Sequence, residues 1–397
     1  VNPFESEMHR RLASIKDAGL LRELRRVDSA QGPRIEIKGR ALLNFSSNDY
    51  LGLANHPALK EAAIKAVEKH GAGAGASRLI CGSLAPFHEL EETLAAFKST
   101  EAALTFSTGY AAAVGTITAL LGKDDIIIVD KLVHACVVDA AKLSGAKLRV
   151  FDHNNLKDLE EKLRWAASPK SEIGNRKSEI LIVTESIFSM DGDSAPLAEI
   201  VALKEKYGAW LMADEAHATG LYGVNRRGLA EALGVSDRIE IQMGTLGKAL
   251  GASGGYICGS RALIDYLVNR ARSFIFSTAP APAAAAAAKA AIKLIQSAEG
   301  QSLSTELQAR IAEFQSAIGN QQSAIPSAII PWIIGNEAAS VVAATKLREH
   351  NIFVPAIRYP TVARGSARLR ITLTAAHSSQ DIGALVSALS QIANRKP

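Results

Sequence analysis

The chain has 397 residues, 48% hydrophobic and 21% charged, which excludes a disordered or low-complexity protein and leaves room for two or three domains. Its net charge is +5, yet no dense lysine–arginine block occurs and aromatics reach only 5%, so an anionic small-molecule substrate suits the charge better than nucleic acid. The cysteines Cys81, Cys136 and Cys258 form no CxxC pair, which argues against a disulfide framework or a zinc site, and no stretch is long and apolar enough to span a bilayer.

Residues 1–7 carry charge and no apolar run, so no secretory signal is expected and the cytoplasm is the expected location. Residues 5–24 read as an amphipathic helix with Met8, Leu12 and Ile15 on one face, and with Arg22, Arg25 and Arg26 near its end. Arg22 there is either solvated or a ligand for an anion. Gly32-Pro33 marks a turn, residues 34–38 alternate like a short strand, and 43–52 read as a polar loop. The Gly71–Arg78 run of glycine and alanine resembles a dinucleotide loop. It follows a helical stretch rather than a strand, so it reads as a flexible, substrate-facing loop.

Seven short apolar runs follow, at 103–106, 126–129, 148–151, 180–183, 210–213, 239–243 and 255–258. Segments of helical spacing or length separate the first five. Apolar runs alternating with helices predict an α/β fold, with a seven-stranded, mostly parallel sheet covered on both faces. Ligands of such sheets gather at the carboxyl ends of the strands, where Thr108-Gly109, Asp130, Glu185, Asp214 and Thr245 stand. The alanine run after Pro282 reads as a packed helix. The last hundred or so residues form a second, smaller α/β unit: a strand at 328–334, a helix at 338–349, an alternating strand at 367–374, and a last helix capped by Ser379. Arg368 and Arg370 share the polar face of that alternating strand and meet either water or an anion. The expected division is an arm at 1–50, a large domain at 51–285 and a small domain at 286–397.

Two segments carry the chemistry. Lys248 lies in a bed of glycines and small residues just after the run 239–243, and Asp214 ends the run 210–213. A lysine and an aspartate at the ends of neighbouring strands supply what pyridoxal phosphate needs: an amine for the aldehyde and a carboxylate for the ring nitrogen. His217 can reach the ring's phenolic oxygen, and His134 is a candidate flat neighbour for the ring. Ser107-Thr108-Gly109-Tyr110 opens a helix and offers a phosphate hydroxyls and N–H groups, with Thr245 and Ser277-Thr278 as further donors, although singly each reads as an ordinary cap. Asp214-Glu215-Ala216-His217 also spells the acidic box of one helicase class. That motor needs a G-x-x-x-x-G-K-[ST] loop upstream, and the sequence has none.

Taken together, NFSSNDYLGL (44–53), STGY (107–110), TESIFSMDGDSAPL (184–197), DEAHATG (214–220), GTLGKALG (244–251) and SARLRITLTAAH (366–377) resemble the α-oxoamine synthases, pyridoxal-phosphate enzymes of fold type I, over nearly the whole chain. The closing segments, Pro360-Thr361-Val362 included, most resemble the alanine-using branch. The resemblance implies a decarboxylative condensation of an amino acid with an acyl-CoA or acyl carrier-protein thioester, in a homodimer with shared sites. It implies that Lys248 carries the cofactor, Asp214 pairs with the ring nitrogen, His217 with the ring oxygen, and His134 stacks on the ring. Glu185 and Ser189 would lie in the site, with Thr108, Gly109, Tyr110 and Thr245 on the phosphate side. Asn48, Ser277 and Thr278 would serve the partner subunit, Arg370 would hold the amino-acid carboxylate with Thr361 nearby in the substrate site, and Arg22 matches a family arginine. Sister enzymes using glycine or serine stay open, as does a catalytically silent relative.

Overall fold

The computed structural model describes residues 2–168, 178–319 and 325–393. The first helix, Pro3–Asp17, is capped by Asn2, whose side chain accepts from the Phe4 N–H at 3.0 Å. It stops short of the expected residue 24, at Gly19 with φ +67°. None of its residues is buried: Leu12 and Ile15 of the expected apolar face stay exposed. Next comes a hairpin of β1 (Arg34–Ile37) and β2 (Arg40–Asn44), with Arg34 opposite Leu43. Its turn residues Lys38 and Gly39 both have positive φ, 52° and 71°, as a two-residue hairpin of the right twist requires. Leu43 and Asn44 are thus strand, and the expected polar loop begins after them.

The seven apolar runs are seven strands of one sheet: β3 (Ala102–Phe106), β4 (Ile126–Asp130), β5 (Lys147–Phe151), β6 (Ile180–Glu185), β7 (Trp210–Asp214), β8 (Ile241–Thr245) and β9 (Gly255–Gly259). Their order is β3-β9-β8-β7-β6-β4-β5, with β9 antiparallel to both neighbours and the other pairings parallel. The run at 239–243 enters the sheet two residues late, because a 3-10 turn over Ser236–Arg238 precedes it. Strands covered on both faces are apolar without alternation, and Ile126, Ile127, Ile128 and Val129 are all at most 1% exposed. Each such side chain contributes about 1.5–3 kcal/mol by leaving water. The chain runs from β4 outward to β5, then back to β6 on the other side of β4. That reversal opens a crevice at the carboxyl ends of β4 and β6.

The chain divides into two compact units. One holds residues 51–189 and 193–305, the other residues 1–50, 190–192 and 306–397. Helix Pro282–Ile295 starts on proline and buries Ala285, Ala288, Ala291 and Ile292, so its alanine run is a close-packing face within the sheet's unit. The second unit carries β10 (Ile329–Gly335), β11 (Ile352–Phe353), β12 (Ala356–Ile357) and β13 (Ala367–Thr372), in two three-stranded sheets ordered β1-β2-β11 and β10-β13-β12. Its last helix, Ser379–Ala393, is opened by Ser378 rather than Ser379, because Ser378 Oγ accepts from the Asp381 N–H at 3.2 Å. No helix among the described residues is long and apolar enough to cross a membrane.

Candidate active site

Strand register brings the carboxylates together first. Glu185 and Asp214 are direct partners across the parallel pair β6–β7, both at the carboxyl end and both buried. Asp214 Oδ1 accepts from the Ala216 N–H at 2.9 Å, and Glu185 Oε2 accepts from the Ser189 N–H at 2.9 Å. Glu185 Oε1 is buried with no hydrogen-bond partner among the described residues. Lys248, three residues beyond β8, places Nζ 2.7 Å from His217 Nε2. Burial raises the pKa of Asp214, and the Lys248 charge opposes that rise. Burial, then the charge of Asp214, pushes the pKa of Glu185 up to about 8, and the Lys248 charge opposes this rise as well.

His134 caps the helix Ala135–Ser144 beyond β4, with Nδ1 accepting from the Cys136 N–H at 3.3 Å. Its side chain is open to solvent by area, yet it is crowded enough that desolvation lowers its pKa, and the Lys248 charge adds to this. The charge of Asp214 opposes this lowering, and the net effect disfavours the charged ring.

The turn after β3 builds an anion seat. Thr108 Oγ1 accepts from the Ala111 N–H at 3.0 Å and opens the twelve-residue helix Gly109–Leu120. Beside it, Thr245 Oγ1 donates to the Gly254 carbonyl at 3.0 Å, and its Cβ lies 3.9 Å from where a Cβ on Gly109 would stand. A Cβ on Gly255 would come within 2.6 Å of the Gly109 backbone, so only glycine lets β9 and this helix start meet. The glycine bed around Lys248 also serves close backbone packing, since a Cβ on Gly251 (φ +60°) would meet the Leu53–Ala54 backbone at 2.5 Å.

The remaining expected residues are each placed by their own contacts. Tyr110 is half exposed, and its hydroxyl donates to Asp139 Oδ2 at 2.9 Å. Ser277 and Thr278 follow the short helix Arg272–Ile275, and Thr278 bridges to Ser77. In the second unit, Arg370 is buried, donating to Asn48 Oδ1 at 3.1 Å and Thr372 Oγ1 at 3.0 Å. Arg368 is buried too, against Asp191, so neither arginine of this strand meets bulk water. Arg22 is exposed and donates to the Tyr359 carbonyl at 3.2 Å, while Thr361 is exposed two residues further on. The expected flexible loop at 71–78 ends in a buried Arg78, whose guanidinium grips Glu91 at 2.9 Å through both terminal nitrogens.

Sequence reasoning missed two supports of the site. His153 bridges Asp130 (2.9 Å) and Asp193 (2.7 Å), and so ties the loops that follow β4, β5 and β6. Lys98 is buried against Glu215, next to Asp214. Each pair spans a long stretch of chain, and no spacing rule reveals it.

The family model for aminotransferase class I and II matches residues 40–389. An 8-amino-7-oxononanoate synthase from Geotalea daltonii is 48% identical over 387 residues, covering 97% of each chain. One from Anaeromyxobacter sp. (strain Fw109-5) is 48% identical over 384 residues, 96% of this chain and 94% of its own. Among solved structures, a serine palmitoyltransferase from S. paucimobilis with a bound PLP–myriocin aldimine matches with a TM-score of 0.90 at 26% identity, covering 98% of this chain and 97% of its own. The chain belongs to the aminotransferase class I and II family. It is an enzyme of the pyridoxal-phosphate-dependent acyltransferase type.

The residues present fit that cofactor. The Lys248 amine stands by His217 with the buried Asp214 carboxyl at the neighbouring strand end, the capped helix start and the Thr245 hydroxyl can take an anion, and the buried Glu185 Oε1 has no hydrogen-bond partner among the described residues.

Proposed function

We propose that the protein condenses L-alanine with a pimeloyl thioester, of CoA or of a carrier protein, to give 8-amino-7-oxononanoate, carbon dioxide and the free thiol, a step of biotin biosynthesis. The observation that carries the proposal is the Lys248 amine 2.7 Å from His217, with Asp214 and Glu185 buried at the neighbouring strand ends. The 48% identity to curated 8-amino-7-oxononanoate synthases supports the choice of substrates.

Bound pyridoxal phosphate supplies an aldehyde for an amine and a protonated ring that accepts the electron pair left at the amino acid's α-carbon. Lys248 is the residue that would hold it. With an amino acid bound, Lys248 Nζ would be the base that takes the α-proton and would return a proton to the product carbon. Asp214, buried at the end of β7 with the Lys248 charge acting on it, would face the ring nitrogen and hold a proton there. His217 orients Lys248 and the ring oxygen. His134 would cover the ring face, Thr108, Gly109 and Thr245 would seat the phosphate, and Tyr110, Ser189, Ser277 and Thr278 would complete the surround. Arg370 takes the amino-acid carboxylate, with Asn48, Thr361 and Arg22 as further substrate contacts. We infer a homodimer in which Asn48, Ser277 and Thr278 serve the partner's site.

A second reading, serine with palmitoyl-CoA, draws on the TM-score of 0.90 to a serine palmitoyltransferase, but its 26% identity speaks for fold more than for substrate. Free-thiol release separates the two. The pyridoxal-phosphate-loaded protein meets alanine, glycine or serine, each with pimeloyl-, acetyl- or palmitoyl-CoA, and alanine also meets a pimeloyl carrier protein. Release confined to alanine with a pimeloyl donor is the expected result. Fastest release with serine and palmitoyl-CoA, or with glycine and acetyl-CoA, overturns it.

A further inference from the structure

We propose that an arginine-lined cavity in the unit of residues 1–50 and 306–397 seats the phosphate-bearing end of the acyl thioester's carrier, a reading that rests on the thioester substrate proposed above. The cavity holds about 320 Å³ and is walled by residues 21–25, the helix Glu337–Glu349 and residues 353–358. Four guanidinium groups line it, from Arg22, Arg25, Arg348 and Arg358, against the single carboxylate of Glu23. Four positive charges less one negative leave an excess of three. One terminal carboxylate cannot balance that excess, whereas a diphosphate or phosphomonoester carries two or more charges.

The arginines divide into two pairs by what they already hold. Arg358 is turned onto the carbonyls of Gly19 and Leu21, and Arg22 onto that of Tyr359. Arg25 and Arg348 form no ion pair among the described residues. Arg348 Nη2 donates only to the Thr345 hydroxyl, at 2.7 Å. Burial and the neighbouring Arg25 charge together hold Arg348 below its ordinary pKa. Two like charges crowding one cavity are unfavourable unless an anion lies between them. The planar fork of a guanidinium matches the oxygens of a phosphate two at a time. Val341, Phe353 and Pro355 give the cavity an apolar wall, suited to the uncharged part of a carrier arm.

The test uses the full-length, pyridoxal-phosphate-loaded protein and the double variant R25Q/R348Q, which leaves Arg22 in place. Free coenzyme A binding is measured by calorimetry, with inorganic pyrophosphate as competitor. KM and kcat are measured with the pimeloyl group on coenzyme A, on a carrier protein and on N-acetylcysteamine, which has no phosphate. The variant is expected to weaken coenzyme A binding and raise KM for the CoA thioester at least about tenfold, with kcat within about twofold. KM for the N-acetylcysteamine thioester should stay put, and R25K/R348K should recover part of the loss. A loss on the CoA thioester alone assigns the cavity to the diphosphate and phosphomonoester of the nucleotide, and an equal loss on both carriers overturns that, because the phosphodiester of a carrier protein bears a single charge. Equal loss on N-acetylcysteamine, loss on the carrier protein alone, or unchanged coenzyme A binding overturns the proposal. Failure of the condensation reading looks different: the unaltered protein then releases no thiol, while coenzyme A binding and its dependence on the two arginines persist.

Discussion

Lys98 and Lys248 lie in the same unit and meet consecutive carboxylates, yet their surroundings are opposite. Lys98 is 1% exposed, pairs with the equally buried Glu215, and donates also to the Arg227 carbonyl at 2.7 Å. Glu215 Oε1 accepts from the Ala230 N–H at 2.9 Å, and Gly228 has no side chain because a Cβ there would strike this carboxylate at 2.4 Å. The pair is thus closed: each charge is spent on a fixed partner. Lys248 is only partly buried and is hydrogen-bonded to a histidine, with Asp214 and Glu185 acting on one another and on it through space. Lys98 is held between two fixed acceptors in a dry site, whereas Lys248 meets an imidazole that can itself take or give a proton. Successive residues at the end of β7 therefore do separate work, Asp214 toward the site and Glu215 beneath it.

This contrast is open to breaking. The largest effect should come from Lys248→Ala: turnover falls at least about a thousandfold, and borohydride no longer fixes the cofactor to the chain, read by intact mass. Stability should shift by less than about 1 kcal/mol, because no closed buried pair is opened. Lys98→Met should do the reverse. It strands Glu215 in the interior and lowers the unfolding free energy by about 3–5 kcal/mol in urea titrations. If Lys98→Met is as stable as the parent while Lys248→Ala unfolds, the assignment of locked and working lysines is wrong. Asp214→Asn comes next, with α-proton exchange of bound alanine slowed about a hundredfold and weaker cofactor retention. An exchange rate equal to the parent's would leave Asp214 a structural residue.

The contrast also shows what a sequence can and cannot say. The seven strands were legible because burial on both faces produces continuous apolar runs, as in Ile126 to Val129. Asp214 and Lys248 were legible because each follows such a run. Glu215 was not, since nothing in Asp214-Glu215 says which carboxylate faces the site, and its partner Lys98 is 117 positions away. β2 was missed because Ala41-Leu42-Leu43 does not alternate with polar residues, although Lys38-Gly39 between two short runs is a hairpin signal that was there to be used. Arg78 looked mobile inside a glycine run and is buried, because its partner Glu91 lies on the next helix.

The smallest effect concerns the support behind His134. Burial disfavours a charged His153, but the hydrogen bonds it donates to Asp130 and Asp193 outweigh this and raise its pKa from 6.5 to about 10. A basic group whose pKa rises on folding adds stability fully below its unfolded value, and that addition fades as the pH climbs toward the folded value. The unfolding free energy of the parent should therefore exceed that of His153→Gln most near pH 6, with the gap closing by about pH 10. Glutamine can still reach one carboxylate, so the clamp is weakened rather than removed. Because Asp130 ends β4 and its Oδ1 also accepts from the Leu132 N–H at 2.8 Å, loosening it shifts the turn that carries His134. The cofactor's absorption band should then become pH-sensitive in the variant across the range where it is constant in the parent. A gap that stays equal at both pH values would mean that His153 packs against Phe188 without acting as a charged clamp.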